Sequence, residues 1–441
     1  MTELDIRLEA FLTGRKEKGR FRTLKEYDTS PKSGLVDFSS NDYLSLTTSP
    51  SLRTCFLERL ANALAIFGST GSRLLSGCSP SHSALENRFA ALFNSPSALL
   101  FNSGWDANVS FFATVPQASD WVVYDELIHA SVHSGLRSSR VPESRRVHFS
   151  HNSPQDLRNV LRRIMAEEPV SSRSTVFLAV ESLYSMDGDM SPLPLLLDVL
   201  EEHVPRSQQC VVVDEAHSTG VYGDKGRGIV HALKEEGGWG EDGTRRRRGR
   251  VDVRLMTFGK AVGCSGAVLL CSPTVRSFLI NFARPFIFST AMPHTTLIAL
   301  DCVWDLLQSQ EGERRRESLM ATAFYLHSLL KDLLAGIPSN LLRLPPNPII
   351  PFESNNSPYL PSNPLSPIIG ILTPNPHALS AFLLGKGFIV RPVVPPTVPP
   401  GAERVRVCIR ADMDRDVIEG LVASIREWVE LKTHVNLKAK L

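Results

Sequence analysis

The chain has 441 residues, of which 42% are hydrophobic and 21% charged, a length and composition that suit a folded protein with room for a buried cofactor. Its 48 Lys and Arg residues nearly balance its 46 Asp and Glu residues, so the net charge favours neither a nucleic acid nor an anionic membrane as a partner. The sequence has no apolar run of ~20 residues, no signal peptide and no CxxC pair, which predicts a soluble, non-secreted protein with reduced thiols and no zinc site.

The first two predicted regions are an N-terminal arm over residues 1–50 and a large domain over residues 51–295. The arm starts as a polar, basic helix and continues into the aromatic segment FSSNDYLSL. The large domain alternates helical stretches with short apolar runs, namely SALLF, WVVYD, STVFLAVE, QCVVVDEA, RLMTFG and SGAVLLC. Because strands buried on both faces are continuously apolar, this alternation predicts a mainly parallel sheet in an α/β domain.

The third predicted region is a smaller α+β domain over residues 296–441. It contains a long helix at about 295–336, a Pro-rich loop at 345–367, and strands near PIIGIL and RVRVCIR. A separate segment, GGWGEDGTRRRRGR at 237–250, is rich in Gly and then in Arg. A nucleic-acid patch and a targeting signal are alternative interpretations of this segment, but such runs are more often solvated surface loops.

The predicted strand in VVVDEAHSTG ends on a carboxylate, Asp214, and His217 follows three residues later. Open α/β sheets bind their ligands at the carboxyl ends of the strands, so both side chains are candidates for a functional site. By itself, DEAH also fits a nucleotidase motif or a helix cap, and its neighbours in the sequence have to decide between these interpretations.

The next predicted strand, in LMTFGKAVGCSG, leads into Lys260, which small residues flank. A phosphate-binding P-loop is excluded, because the chain has Arg254 and Ala261 where GxxxxGK[ST] needs Gly and Ser or Thr. A surface lysine in a turn is the ordinary interpretation. The alternative is a lysine that forms a Schiff base, since a partly desolvated amine has the lowered pKa that this chemistry needs.

Three further segments add candidate residues. ESLYSMDGD supplies Ser185, and YDELIHAS supplies His129. NSGWDAN places Gly104 and Trp105 at the expected start of a helix, where free backbone N–H groups suit a phosphate. A lone histidine is usually structural, so His129 is a candidate only because of the other motifs.

Nine segments occur in the order, and at close to the spacing, of the α-oxoamine synthases. They are FSSNDYLSL, GSTGSRLLSGCSPSHSALE, FNSGWDAN, HAS, SMDGD, DEAHSTGVYGDKGRG, TFGKAVGCSGA, FARPFIFSTAMP and PPTVPPGAERVRV. The chain therefore resembles this family over nearly its whole length. The resemblance implies pyridoxal phosphate (PLP) as the cofactor and no metal. It also implies fold type I of the PLP enzymes, with a mainly parallel seven-stranded sheet flanked by helices and a smaller α+β C-terminal domain.

The resemblance implies a catalytic or binding role for each matching residue. Lys260 matches the lysine that carries PLP, Asp214 the partner of the pyridine nitrogen, and His129 the imidazole stacked on the ring. The other implied cofactor contacts are Ser185 and His217 at the phenolic oxygen, Gly104, Trp105 and Thr257 around the phosphate, and Ser289 and Thr290, which resemble a pair supplied by the neighbouring subunit. That last match implies a homodimer. The implied substrate contacts are Arg406, for the amino-acid carboxylate, and Asn41, Thr397 and Arg22.

The TFGK form of the lysine motif, FAR…STAMP and PPTVP favour one branch of the family. This branch condenses L-alanine with pimeloyl-CoA in biotin biosynthesis and releases CoA and CO2. Two alternatives stay open. One is the same chemistry on glycine or serine with another acyl-CoA. The other is a non-catalytic scaffold subunit, although the presence of Lys260 and Asp214 argues against it.

The sequence ends in Ala439, Lys440 and Leu441, a variant of the SKL-type peroxisomal address. We therefore expect a peroxisomal import receptor as a further partner and the peroxisome as the location. Without that import the expected location is the cytoplasm.

Overall fold

The computed structural model describes residues 1–30, 32–167, 174–236, 238–239, 245–246, 249–345 and 365–438. Its helices are α1 (Glu3–Glu17), α2 (Pro50–Asn62), α3 (Pro80–Leu92), α4 (Gly104–Thr114), α5 (Ala130–Arg137), α6 (Pro154–Glu167), α7 (Leu193–His203), α8 (Ile229–Ala232), α9 (Pro273–Phe282), α10 (Arg284–Phe288), α11 (His294–Leu307), α12 (Gln310–Leu334), α13 (Pro376–Gly385) and α14 (Arg415–Lys438).

Its strands are β1 (Val36–Asp37), β2 (Ser97–Phe101), β3 (Trp121–Asp125), β4 (Arg146–Phe149), β5 (Val176–Glu181), β6 (Gln209–Asp214), β7 (Gly238–Trp239), β8 (Arg245–Arg246), β9 (Val253–Thr257), β10 (Ala267–Cys271), β11 (Ile368–Leu372), β12 (Phe388–Ile389), β13 (Arg391–Val393) and β14 (Arg404–Cys408).

The large domain is built on a seven-stranded sheet with the order β2-β10-β9-β6-β5-β3-β4. Strands β9, β6, β5, β3 and β4 pair in parallel, and β10 runs antiparallel to both of its neighbours. This architecture confirms the predicted fold class, and all six apolar runs form strands within it. The sequence analysis missed β4, because this edge strand is only partly buried and lacks a continuous apolar run.

Helices cover both faces of this sheet, which is why its strands are apolar throughout. In β6, Val212 packs on the face that carries Phe111 of α4. Its neighbours Val211 and Val213 pack on the opposite face against Leu161 of α6. Since successive side chains of a strand alternate between faces, burial on both sides requires an apolar residue at every position.

A three-stranded antiparallel sheet with the order β11-β14-β13 forms the smaller unit. Helix α13 packs against β13, β14 and α14, and α14 packs against α12. The N-terminal arm joins this unit, because β1 pairs in parallel with β12 and the amide of Cys408 donates to the carbonyl of Phe38 over 2.7 Å. The arm is therefore anchored by backbone hydrogen bonds to strands of the C-terminal region. The three domain boundaries themselves stay predictions.

The predicted single helix over about 295–336 is wrong, since the structure has two helices there. Helix α11 ends at Leu307, and α12 begins at Gln310 with Ser309 as its N-cap. The hydroxyl of Ser309 accepts from the amide of Glu311 over 3.2 Å. A serine followed by acidic residues is an N-terminal capping signal, and the apolar periodicity on either side of it concealed the break.

Most of the basic segment 237–250 and of the Pro-rich loop 345–367 lies outside the described residues. In the basic segment 237–250, interpreted as a solvated loop, β7 and β8 pair antiparallel. Residues 346–364 of the Pro-rich loop and the tripeptide 439–441 also lie outside the described part of the chain. Within the described ranges, no helix has both the length and the apolar character that a bilayer crossing requires.

Candidate active site

Four parallel strands bring functional side chains to one edge of the large sheet. Glu181 ends β5, Asp214 ends β6, Thr257 ends β9, and His129 follows β3. These residues line a cavity of about 320 Å³, which is large enough for an organic cofactor. The site thus occupies the crevice where open α/β sheets bind ligands.

Seven of the predicted site residues line this one cavity, although they are spread over more than 150 positions of the sequence. They are Gly104, Trp105, His129, Asp214, His217, Thr257 and Lys260. The structure therefore brings the predicted cofactor residues together, and the role of each one stays a prediction.

Lys260 lies in a tight loop between β9 and β10. The carbonyl of Lys260 accepts from the amide of Gly263 over 2.8 Å, and the amide of Phe258 donates to Gly266 over 2.9 Å. Burial lowers the pKa of the Lys260 amine, although the nearby Asp214 and Glu181 carboxyl groups act in the opposite direction. A lowered pKa makes the neutral amine more accessible, and the neutral amine is the form that attacks a carbonyl group.

Asp214 is 7% exposed and both of its carboxylate oxygens accept hydrogen bonds. The amide of Ala216 donates to Oδ1 over 2.9 Å, and Nδ2 of Asn108 donates to Oδ2 over 2.8 Å. Nδ2 of Asn108 also donates to the hydroxyl of Ser131 over 3.0 Å. This hydroxyl lies 2.7 Å from Nδ1 of His129. One buried network therefore fixes the orientations of Asp214 and His129.

His129 caps the N-terminus of α5, and its Nδ1 accepts from the amide of Ser131 over 3.3 Å. An accepting Nδ1 assigns the proton of the neutral ring to Nε2. Burial lowers the pKa of His129, which Asp214 opposes and Lys260 reinforces. The site therefore holds a neutral imidazole whose free nitrogen is a donor.

His217 connects the cavity to the substrate-side residues. Its Nδ1 lies 2.7 Å from the hydroxyl of Tyr43, which in turn donates to Oδ1 of Asn41 over 3.0 Å. Nη2 of Arg406 donates to the same Asn41 oxygen over 2.9 Å. Burial lowers the pKa of His217 well below its usual range, with the cations Lys260 and Arg406 adding to this effect.

Glu181 is a buried acid that the sequence analysis left without a role. Glu181 and Asp214 are directly paired Cα neighbours on β5 and β6, and both line the cavity. Burial and the charge of Asp214 raise the pKa of Glu181 well above its usual range. The raised pKa favours the protonated form of Glu181 beside Asp214.

Asn108 and Tyr43 were also missed as site residues. Both stand inside quoted motifs, NSGWDAN and FSSNDYLSL. Their partners are 106 and 174 residues away along the chain. Only the folded structure shows such contacts.

The start of α4 fits the phosphate of PLP. The hydroxyl of Ser103 accepts from the amide of Asp106 over 3.0 Å. The two preceding residues, Gly104 and Trp105, line the cavity, and their amides belong to the first turn, which has no intrahelical acceptors. A Cβ atom built on Gly104 would lie 2.5 Å from Cγ2 of Thr257. Glycine is therefore required for this close approach of helix and strand, and the two amides are donors for an anion.

The remaining predicted residues lie outside this cavity. Ser185 accepts a hydrogen bond at its carbonyl oxygen from Nε of Arg406 over 2.7 Å. Ser289 and Thr290 are exposed and line a separate cleft together with Arg73. Thr397 and Arg22 are exposed, and neither lines the cavity of its own chain. For Arg22 this placement does not supply the predicted substrate contact within one chain.

A family model described as aminotransferase class I and II matches residues 33–425. The chain is 40% identical over 402 residues to 8-amino-7-oxononanoate synthase of Emericella nidulans, which covers 90% of each protein. The chain belongs to the class I and II aminotransferases, as an α-oxoamine synthase. This membership confirms the predicted family, the enzyme class of PLP-dependent acyltransferases and PLP as the cofactor.

Other similar proteins carry different names. The aminoacyl transferase sphA of Byssochlamys spectabilis is 32% identical over 403 residues, covering 90% of this chain and 81% of that protein. The structure of Sphingomonas wittichii serine palmitoyltransferase superposes with a TM-score of 0.77, covering 98% of this chain and 100% of that chain at 23% identity. The latter likeness shows a shared fold only.

Proposed function

We propose that this α-oxoamine synthase condenses L-alanine with pimeloyl-CoA to give 8-amino-7-oxononanoate, CoA and CO2, a step of biotin biosynthesis. The observation that carries the proposal is the 40% identity to the Emericella nidulans enzyme over 90% of both chains. The cavity supports it with seven of the candidate PLP contacts, Lys260 among them.

The residues of the cavity divide the cofactor among them. Lys260 would attach PLP covalently, the amides of Gly104 and Trp105 would hold its phosphate, and Asp214 would pair with its pyridine nitrogen. When bound, PLP would supply an electron sink for the negative charge that develops at the Cα atom of alanine. An ionised Asp214 would favour protonation of the pyridine nitrogen, because a nearby opposite charge raises the pKa of that nitrogen.

Lys260 and His129 handle the protons and the carbonyl group of the reaction. The amine of Lys260 takes the proton from Cα of alanine. Cα then bonds to the thioester carbon, the carbon–sulfur bond breaks, and CoA leaves as a thiolate that takes a proton from water. The bond to the carboxylate then breaks to release CO2, and Lys260 returns its proton to Cα. Nε2–H of His129 donates to the thioester oxygen while charge develops there.

Arg406 binds the carboxylate of alanine in this proposal. Its Nε is used by the carbonyl of Ser185, and its Nη2 by Asn41. Nη2 also donates to the hydroxyl of Tyr43 over 3.5 Å. Within the described residues this leaves the donors of Nη1 for a substrate, on a guanidinium group that three hydrogen bonds already hold in place. A cation held in a fixed orientation suits a carboxylate better than a mobile cation does.

A matrix of amino acids and acyl-CoAs tests the proposed substrates. The purified enzyme is loaded with PLP, and CoA release is measured for alanine, glycine and serine with pimeloyl-CoA and palmitoyl-CoA. We expect the alanine and pimeloyl-CoA pair to be fastest. Glycine should react weakly, since one methyl group contributes only ~1 kcal/mol to selectivity. Preference for palmitoyl-CoA would contradict the substrate proposal and leave the PLP chemistry intact.

Transfer of a longer acyl group to serine or glycine is the second candidate function. The observation that favours it is the 32% identity to aminoacyl transferase sphA. The same matrix separates the two functions, because a pimeloyl group ends in a carboxylate that an apolar acyl pocket would exclude.

The terminal carboxylate of pimeloyl-CoA needs a cation, and we propose Arg22 for this contact through the neighbouring subunit. Arg22→Gln is expected to slow turnover of pimeloyl-CoA about tenfold or more, and of an uncharged acyl-CoA of equal length much less. Arg20→Gln is the matched control, because Arg20 is an exposed cation of the same segment. Equal effects on both acyl-CoAs would contradict the role of Arg22.

A homodimer is also part of the proposal. Large apolar side chains stand exposed close to Ser289 and Thr290 in the sequence or the fold, namely Phe67 (79%), Leu75 (84%) and Phe288 (70%). Exposed apolar clusters of this kind mark interfaces. Light scattering during gel filtration should give twice the 48.7 kDa of one chain. A mass of one chain at micromolar concentration would exclude the dimer.

A further inference from the structure

His151 joins two loops that carry predicted site residues. The first, the His129 loop (residues 125–129), begins at Asp125 and leads to His129 at the start of α5. The second, the Ser185 loop (residues 183–190), runs from Leu183 to Met190, which pair as an isolated bridge. His151 itself follows β4 and does not line the cavity.

The imidazole ring of His151 bonds one carboxylate from each loop. Nδ1 lies 2.9 Å from Oδ1 of Asp125, and Nε2 lies 2.8 Å from Oδ2 of Asp189. Both partners are carboxylates that accept, so both ring nitrogens donate and the ring is an imidazolium. In agreement, the two carboxylates outweigh the effect of burial and raise the pKa of His151 to about 10.

The neighbour of His151 bonds the same two loops. The amide of Asn152 donates to Oδ2 of Asp125 over 2.8 Å, and its side-chain Nδ2 donates to Oδ2 of Asp189 over 2.7 Å. The ring of Tyr184, in the Ser185 loop, meets the His151 ring edge-on with centroids 4.5 Å apart. The connection is thus specific and mostly buried.

Each loop passes this constraint on to the active site. Oδ1 of Asp125 also accepts from the amide of Leu127 over 2.9 Å, which fixes the turn before His129. The amide of Tyr184 donates to the carbonyl of Asp189 over 2.9 Å, which closes the Ser185 loop. Next to Tyr184 in that loop, the carbonyl of Ser185 accepts from Nε of Arg406.

We propose that His151 is a positioning residue of the active site, which holds the His129 loop and the Ser185 loop in a fixed relation to each other. Through these loops it sets the place of the His129 ring and of the Ser185 carbonyl that orients Arg406. The effect of His151 on catalysis rests on the proposed function, whereas its effect on the positions of the two loops is independent of that function.

The test compares His151→Gln with His231→Gln. His231 is the matched control, because it is a similarly buried histidine whose Nδ1 pairs with a carboxylate, Glu236, over 2.8 Å, away from both loops. Amide hydrogen exchange of the purified proteins reports on the loops. We expect exchange to accelerate about tenfold or more in both loops of His151→Gln, and to be unchanged there in the control.

The PLP-loaded enzymes give the second readout. His151→Gln should lower kcat about ten- to a hundredfold with a much smaller change in KM for the amino acid, since misplacing a catalytic group costs the transition state more than the ground state. The visible circular dichroism of bound PLP should weaken in parallel. The control should behave like the wild type in both respects.

Two results would overturn the proposal: loops that exchange as slowly as in the wild type, or a kcat loss equal to that of His231→Gln. If His151→Gln fails to fold, Asp189→Asn replaces it, because this variant releases only the Ser185 loop. Faster exchange should then be confined to residues 183–190. A wild-type protein that shows no PLP absorbance would refute the proposed function, while the exchange data would still decide the role of His151.

Discussion

Replacing Asn108 tests the buried network that orients Asp214. Asn108→Leu keeps the branching and the number of heavy atoms but removes both hydrogen bonds of Nδ2, to Asp214 and to Ser131. A bond to a charged acceptor contributes about 1.5–3 kcal/mol and a neutral one about 1 kcal/mol. The added apolar burial returns ~1 kcal/mol. We therefore expect the free energy of unfolding to fall by about 1.5–3 kcal/mol, and the affinity for PLP to fall because Asp214 loses its orientation.

Urea denaturation followed by circular dichroism measures the loss of stability, and absorbance titration measures the affinity for PLP. Asn281→Leu is the control, because Asn281 is exposed on α9 and its Nδ2 bonds only the carbonyl of Ser277 in its own helix. Its change in stability should stay within ~0.5 kcal/mol. If the two variants lose equal stability and bind PLP equally well, the network does not orient Asp214.

Four further predictions follow from the site and the tail. Asp214→Asn should keep the fold and some PLP yet lose about 10- to 1,000-fold in turnover, because loss of the opposite charge lowers the pKa of the pyridine nitrogen by about 1–3. Near-normal turnover would contradict the role of Asp214. Gly104→Ala should cost about 1–3 kcal/mol of PLP affinity through the clash with Thr257, whereas Gly385→Ala, where a Cβ meets nothing within 4 Å, should leave the dissociation constant unchanged. The folded-state pKa of His151, about 10, exceeds its unfolded value, so the contribution of His151 to stability should be present below about pH 6.5 and be lost as the pH rises through 10. The difference in free energy of unfolding between the wild type and His151→Gln should therefore shrink in that range, and a constant difference would contradict this linkage. The groups that face His151 are Asp125, Asp189, Glu126 and Tyr184. A fluorescent protein ending in residues 439–441, which we propose as a peroxisomal address, should collect in peroxisomes and disperse when the tripeptide is deleted; identical distributions would place the protein in the cytoplasm.

The large sheet could be predicted from the sequence because most of its strands are continuous apolar runs. A strand such as β6 must be apolar on both faces, and its last residue, Asp214, stands out as the first carboxylate after an apolar run. The lysine motif was recognised through the resemblance of TFGKAVGCSGA to the family, since a lysine flanked by small residues is by itself most often a surface residue.

Features that depend on the third dimension were missed. Strand β4 is an edge strand with polar positions, and the break between α11 and α12 rests on one capping serine. Asn108 and Glu181 act on Asp214 across neighbouring elements, so their spacing in the sequence carries no signal. For Arg22, the resemblance to the family implied a substrate contact that a single folded chain does not make.

The pairing of β1 with β12 has a consequence for synthesis of the chain on the ribosome. Val36 bonds the carbonyl of Gly387, about 350 residues later, and Phe38 is fully buried only once Cys408 is in place. At roughly 5–20 residues per second, the arm of the nascent chain waits on the order of 20–70 s for its partner strands. During that time the apolar segment around Phe38 and Tyr43 is open to chaperones and to misassembly, so ribosome-bound factors that cover the N-terminal 50 residues should raise the yield of active enzyme.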